Sequence, residues 1–135
     1  MKYLLDTTTV SDYLRKKKKI IAKLHNSNPQ NLAISVVTKF EIAYGLANKP
    51  SLIPKYEAQL TELYNKTHDL IIDSEIALLA GNIRSELKNA GTPISVPDIL
   101  IAATAYKYNL IVATSNIKDF QRIKDRELKL EDWKA

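Results

Sequence analysis

The chain has 135 residues, the length of one ordinary domain, and it is long enough to enclose a hydrophobic core. Apolar residues make up 45% and charged residues 26%, which is typical of a soluble globular protein, and no apolar run reaches the roughly 18 residues that a membrane span needs. The absence of cysteine excludes disulfides and thiolate metal sites, while the net charge of +5 favours an anionic partner, nucleic acid before a membrane. We expect a single domain over residues 1–135 that is cytoplasmic, since the N-terminus lacks the long apolar segment of a signal peptide.

The first half of the chain alternates short apolar strands with helices. In chain order the pattern predicts a strand at 2–5, helices at 10–15 and 20–25, a strand at 32–35, and helices at 36–48 and 55–65. The helix at 36–48 is expected to pack one apolar face inward, formed by Val36, Val37, Phe40, Tyr44 and Ala47.

The second half continues the same alternation. A strand at 69–72 precedes a helix in which Ile76, Leu79, Ile83, Leu87 and Ala90 recur at helical spacing, and Gly91 and Pro93 supply its stop signal. A nearly all-apolar helix at 98–107 is expected to be buried, and strands are predicted at 110–114 and 128–130. Strands that alternate with helices predict an α/β sandwich with a central parallel sheet.

Three acidic residues fall near the ends of these elements. Asp6 ends the first strand, Glu41 lies in the helix after the second strand, and Asp98 opens the buried helix. Each has a structural alternative: a helix N-cap for Asp6, a capping box with Thr38 for Glu41, and a first-turn acid for Asp98.

A cluster of these three carboxylates needs compensation. At about 4 Å and an effective dielectric constant of about 20, each pair of like charges repels by roughly 4 kcal/mol. Such a cluster must therefore take up protons or hold a cation. Oxygen ligands without cysteine favour Mg²⁺ or Mn²⁺ over zinc.

Four stretches together carry a family resemblance. YLLDTTTVSDYLR, SVVTKFEIAYGL, ISVPDILIAATAYKYNLIVATSNIKDF and the closing LKLEDW resemble a PIN-domain ribonuclease, more narrowly the VapC toxins of type II toxin–antitoxin systems. The resemblance extends over residues 1–133. It implies a PIN-like α/β/α sandwich with an acidic pocket at the carboxyl edge of the sheet, and divalent-metal-dependent endonucleolytic cleavage of RNA.

The resemblance also implies roles for the acidic residues. Asp6 and Asp98 would be the principal ligands of Mg²⁺ or Mn²⁺, and Glu41 would complete the acidic set directly or through water. The cation would activate water for attack on a phosphodiester and neutralise charge on the phosphate.

Two positions depart from the family pattern. The family commonly has Asn two residues after its first Asp, where Thr8 stands here, although Thr7 matches. The family's fourth acid often lies two residues after the Thr of the last strand, and after Thr114 that place holds Asn116, with Asp119 as a substitute three residues on. Asn116 can ligate or orient a metal-bound water through its carbonyl, but it adds no negative charge.

The resemblance further implies partners. They are an RNA substrate, a second copy in a homodimer, and a cognate VapB-like antitoxin that itself binds DNA; no membrane is involved. An acidic pocket repels RNA unless a positive rim offsets it, and Lys39, Arg84, Lys88 and the basic run at 15–19 are expected to supply that rim.

Two other functions are left open by the sequence. One is a PIN-fold binding module whose cation site is weakened by Thr8 and Asn116. The other is a phosphatase of the haloacid-dehalogenase type, whose nucleophilic Asp also ends a first strand, although that motif needs a second Asp where Thr8 stands.

Overall fold

A five-stranded sheet, in which every strand runs parallel to its neighbours, lies at the centre of the computed structural model, which describes residues 1–124 and 126–135. The strands are β1 (Tyr3–Leu5), β2 (Leu32–Ser35), β3 (His68–Leu70), β4 (Ile111–Ala113) and β5 (Lys129–Glu131). Their order across the sheet is β3-β2-β1-β4-β5. The predicted parallel sheet is therefore confirmed.

Helices cover both faces of this sheet. They are α1 (Thr7–Leu14), α2 (Lys18–His25), α3 (Val36–Asn48), α4 (Ile53–Lys66), α5 (Ser74–Asn89), α6 (Val96–Tyr108) and the single turn α7 (Ile117–Phe120). Within residues 1–124 and 126–135, none of these helices combines the length and apolar character needed to cross a membrane.

Two hydrophobic cores lie on opposite sides of the sheet because successive strand side chains point to opposite faces. Leu4 of β1 packs with Ile83 of α5 and Ile101 of α6. Its neighbour Leu5 belongs to the other core, with Val10 of α1 and Leu60 of α4. Because both faces are covered, β1 is apolar throughout rather than alternating, as expected for a buried parallel strand. The α/β/α sandwich is thus confirmed.

The strand order creates a crevice at one end of the sheet. The chain proceeds outward from β1 to β2 and β3 on one side, then crosses to β4 and β5 on the other. In the register of the sheet Leu5 lies opposite Ile34 on β2 and opposite Ala113 on β4, so the residues that follow β1 and β4 emerge side by side. Such a reversal at the carboxyl ends of parallel strands is where ligands bind in open α/β sheets.

Most predicted boundaries agree with the structure, and the differences have local causes. The strand at 32–35 and the helix at 36–48 are confirmed as predicted. Helix α1 begins at Thr7, three residues before its predicted start, because Asp6 caps it. The third strand lies at His68–Leu70 instead of 69–72.

The predicted inward face of α3 is confirmed at Val37 but wrong at Phe40 and Tyr44. Phe40 and Tyr44 are each 65% exposed, whereas Val37, Thr38 and Ile42 are buried. Because β2 leads into α3 with no intervening loop, the strand sets the orientation of the helix and turns the Thr38–Ile42 side inward. The spacing of apolar residues identifies a stripe along the helix, but it does not show that Phe40 and Tyr44 face solvent.

Phe120, the last residue of α7, anchors the segment that follows β4. Its side chain is 0% exposed and packs in the core shared by α5 and α6. We expect Phe120→Ala to lower the free energy of unfolding by about 3–5 kcal/mol because it leaves a cavity. Urea denaturation measures this, with Leu78→Ala, at a side chain that is 72% exposed, as the control that changes stability by less than about 0.5 kcal/mol. Equal effects of the two substitutions would contradict this packing.

Candidate active site

Asp6 lies at the crevice and is almost completely buried, with 1% of its surface exposed. Its Oδ1 accepts hydrogen bonds from the Thr9 backbone N–H at 3.0 Å and from the Thr8 hydroxyl at 2.7 Å. Burial raises the pKa of Asp6 above its ordinary value, and hydrogen bonds from Thr114, Thr8 and Thr9 oppose that rise. The N-cap role of Asp6 is confirmed, and the same carboxylate faces the candidate site.

Thr8 joins the start of α1 to the segment after β4. Its Oγ1 accepts the Ser115 backbone N–H at 3.0 Å and lies 3.4 Å from the Thr114 Oγ1. The Thr114 hydroxyl in turn accepts the Asn116 backbone N–H at 2.8 Å. Although Thr8 stands where the family commonly has Asn, it still donates to Asp6, and it fixes the loop that presents Asn116.

Glu41 is held toward α1 from the second turn of α3. Its Oε1 accepts the Thr7 hydroxyl at 2.5 Å. The alternative of a capping box with Thr38 is wrong, because Ser35 is the N-cap and its Oγ accepts the Val37 N–H at 3.0 Å. Thr38 is instead buried inside the helix.

Asp98 occupies the first turn of α6, where Ser95 is the N-cap and accepts the Asp98 N–H at 3.3 Å. Burial, the largest cause, and the negative charges of Asp6, Glu41 and Asp119 together raise the pKa of Asp98 to about 6, against the lowering effect of the Ser95 hydrogen bond. Because Asp98 responds to all three acids, the predicted acidic residues are electrostatically coupled around it.

Asn116 lies between Asp98 and Asp119. Its Nδ2 donates to the Asp98 Oδ2 at 3.2 Å and to the Asp119 Oδ2 at 2.9 Å. Two carboxylates can only accept, so the amide NH₂ rather than the carbonyl faces them. The neutral amide therefore bridges two acids in the place where the family often has another acid.

The negative charge of the four acids Asp6, Glu41, Asp98 and Asp119 is only partly neutralised by basic side chains in the described part of the chain. Asp119 lies 3.7 Å from Arg122, while Asp6, Glu41 and Asp98 form no ion pair with any described residue. As they stand, no three acidic or histidine side chains among residues 1–124 and 126–135 are close enough to enclose an ion. The donor set is nevertheless made of oxygen atoms, which are the ligands that Mg²⁺ and Mn²⁺ prefer.

One feature of the site was missed from the sequence, and one prediction about its surroundings needs correction. Ser95 caps the helix that carries Asp98, and the signal was present as the spacing Ser-x-x-Asp, a variant of the capping box. The predicted basic rim also needs correction, because Lys39 binds Asp69 at 2.8 Å and lies 4.6 Å from the centre of the Tyr64 ring. Lys39 is therefore paired with Asp69 on the edge strand β3 instead of extending an unpaired charge toward RNA.

Comparisons with known proteins identify the family of this chain. The family model of the PIN domain matches residues 3–126. The tRNA(fMet)-specific endonuclease VapC of Salmonella typhimurium is 33% identical over 134 residues, 98% of each chain, and Ribonuclease VapC2 of Haemophilus influenzae is 30% identical, also over 98% of each chain.

Solved structures give the same result. A chain of DNA-bound VapBC from Salmonella typhimurium has a TM-score of 0.83 at 30% identity and covers 98% of both chains. A chain of VapBC-1 from nontypeable Haemophilus influenzae has a TM-score of 0.82 at 29% identity and covers all of both chains. With matches of this extent to the sequence and to the fold, the chain belongs to the PIN-domain family and, within it, to the VapC ribonucleases of toxin–antitoxin systems.

Proposed function

We propose that this chain is a toxic, metal-dependent endoribonuclease that hydrolyses RNA phosphodiester bonds at the site formed by Asp6, Glu41, Asp98 and Asn116. The observation that carries this proposal is the gathering of acids at the switch point of the sheet, where the Asn116 amide joins Asp98 at 3.2 Å to Asp119 at 2.9 Å. The pKa of Asp98, raised to about 6 by burial first and then by the charges of Asp6, Glu41 and Asp119, agrees with it. A protein tolerates such charge where a cation offsets it, and perturbed carboxylates of this kind are typical of catalytic sites.

Mg²⁺ or Mn²⁺ fits the donor set better than other metals. Asp6 and Asp98 would hold the cation, and Glu41 would complete its ligands. When bound, the cation would supply charge neutralisation at the phosphate and activation of water for its hydrolysis. The unpaired charge of these acids supports this proposal, since each lacks a basic partner in the described part of the chain.

The chain's own residues position this set. Thr7 holds the Glu41 carboxylate, and Thr8 holds Asp6. Asn116 and Asp119 support Asp98 through the shared amide, and Thr114 fixes the backbone of Asn116. With a pKa near 6, Asp98 changes protonation just below neutral pH, so its ability to bind a cation increases as the pH rises through that value.

A second candidate function is a PIN-fold binding module with little catalytic activity. It is favoured by the Asn116 amide, which donates to two acids instead of adding a negative charge. Family membership removes the phosphatase alternative. Weak or absent Mn²⁺ binding by the folded chain would favour the binding module over the nuclease.

We further propose the partners of a toxin–antitoxin pair. The two solved relatives are VapBC complexes, and that of Salmonella typhimurium is bound to DNA. They support a VapB-like antitoxin that neutralises this chain and that itself makes the contacts with DNA. The related Salmonella enzyme is named for tRNA(fMet), so tRNA is the first RNA to test. We propose that the chain works in the cytoplasm as a single domain over residues 1–135.

The first test is cleavage of an RNA pool that includes tRNA, in Mg²⁺, in Mn²⁺ or in EDTA. We expect metal-dependent cutting that falls at least about a hundredfold in Asp6→Asn and in Asp98→Asn, because each substitution removes a charged ligand. Asp69→Asn is the matched control, since Asp69 pairs with Lys39 away from the site, and it should retain activity. Cutting that persists in both site variants, or in EDTA, would contradict the proposal.

The raised pKa of Asp98 also predicts a pH dependence of stability in EDTA. The folded chain binds this proton with a pKa of about 6, whereas an unfolded Asp has a pKa of about 3.9, so the folded state holds more protons between these values. The contribution of Asp98 to the free energy of unfolding therefore falls as the pH rises from about 4 to about 6. We expect the urea midpoint of Asp98→Asn to increase relative to that of the parent as the pH rises across this range. A constant difference between the two midpoints would contradict the raised pKa.

A homodimer is proposed from the exposed apolar side of α3. Phe40 and Tyr44, one helical turn apart, are each 65% exposed, and adjacent apolar side chains of this size mark contact surfaces. We expect the chain to have the mass of a dimer in light scattering, and Phe40→Asp to shift it to a monomer without unfolding it. Lys55→Asp, at an exposed position on α4, is the control that should leave the mass unchanged. A monomeric parent chain would overturn the proposal.

A further inference from the structure

A small basic pocket lies beside the acidic site, between α5 and the start of α6. It has a volume of about 200 Å³, and its lining includes Arg84 and Lys88 from α5, Ile94 from the preceding loop, and Val96 and Ile99 from α6. Its lining carries two positive charges and no acidic residue. The charged side chains of the pocket therefore favour an anion, while the rest of its lining, which also includes Leu87 and Pro93, is apolar.

Arg84 and Lys88 are free to bind such an anion. Both are exposed, and neither forms an ion pair or a side-chain hydrogen bond within residues 1–124 and 126–135. They are four residues apart on α5, where like charges face each other and weaken a helix. An anion between the two side chains would relieve this repulsion.

The other basic residues expected at the rim are engaged or lie elsewhere. Lys39 pairs with Asp69. Arg15 lies 3.8 Å from Asp12, and Lys19 donates to the Lys134 carbonyl at 3.4 Å. Among the positions that the sequence suggested for an RNA-binding rim, Arg84 and Lys88 line the same pocket. Neither has an ionic partner among the described residues.

The position of the pocket relates it to the acidic site. Val96 and Ile99, which line it, flank Asp98 within the first turn of α6. Pro93, which also lines the pocket, accepts a hydrogen bond from Arg122 at 2.9 Å, and Arg122 lies 3.7 Å from Asp119 of the acidic set. The pocket and the acidic set therefore lie on either side of Arg122, and Val96, which is 44% exposed, adds an apolar surface beside them.

We propose that Arg84 and Lys88 bind a backbone phosphate of the RNA strand next to the phosphate that is cut. This inference rests on the proposed ribonuclease function and adds to it a substrate subsite outside the acidic centre. RNA is favoured over an acidic peptide because the VapC family acts on RNA and because the acidic centre itself requires nearby positive charge to hold a polyanion.

The test measures RNA binding separately from cleavage. A short fluorescein-labelled single-stranded RNA is titrated in EDTA with full-length Asp98→Asn protein, with and without Arg84→Gln/Lys88→Gln, over a range of KCl concentrations. We expect the double substitution to raise Kd about tenfold and to reduce the slope of log Kd against log salt by about 0.7, the value for one lost phosphate contact on a single strand. Lys2→Gln/Lys129→Gln removes the same charge at exposed positions by the amino ends of β1 and β5, opposite the edge that holds the site, and should change Kd less than twofold.

Kinetics in the otherwise unchanged protein complete the test. With Mn²⁺ we expect Arg84→Gln/Lys88→Gln to raise KM while kcat stays within about twofold. The exchange Arg84→Lys/Lys88→Arg keeps both charges and should bind RNA as the parent does. An unchanged Kd and salt slope would overturn the subsite, as would equal losses in the two charge-matched pairs. A labelled acidic peptide is titrated in parallel, and loss of its binding while RNA binding stays intact would also overturn the subsite. Absence of cleavage in the parent protein would count against the ribonuclease proposal alone, because the binding measurements do not depend on it.

Discussion

The Asp6 carboxylate has lost almost all contact with water, between the first helix and the fourth strand. A buried carboxylate is stable only if hydrogen bonds or a cation replace its hydration. Here one oxygen receives a backbone N–H and a hydroxyl, which cap α1 and at the same time orient the carboxylate toward Asp98. The start of α1, the loop after β4 and the electrostatics of the acidic centre all depend on this one arrangement.

Three consecutive threonines, Thr7, Thr8 and Thr9, each stabilise that arrangement through a different contact. Thr7 reaches α3 through Glu41, Thr8 reaches the loop after β4 through the Ser115 N–H, and Thr9 donates to the Ala113 carbonyl at 2.6 Å. Successive residues of a helix point in directions about 100° apart, so three neighbouring hydroxyls reach three different elements. The first turn of α1 thereby joins elements that are distant in the sequence.

Much of this organisation is predictable from the sequence, because it follows from local patterns. Apolar runs and helical spacing indicate the strands and helices, and the order of the strands with their connecting helices implies acids gathered at one edge of the sheet. Which face of α3 is buried does not follow, since Phe40 and Tyr44 are as apolar as a core stripe and only the direction of β2 turns them outward. The Asn116 amide facing two acids, and Lys39 engaged by Asp69, depend on contacts between distant residues that no local pattern encodes.

The pairing of β1 with β4 has a consequence for how the protein is made. Leu5 lies beside Ile34 on one side and Ala113 on the other, so the first strand to be synthesised receives its second partner more than a hundred residues later. Contacts of such high sequence separation form late, because a long loop must close before they contribute any free energy. Asp6 and Asn116 therefore come together only after most of the chain has left the ribosome. A chain interrupted before residue 98 contains Asp6 and Glu41 without Asp98 and Asn116, so the start of synthesis is separated from the appearance of a complete site.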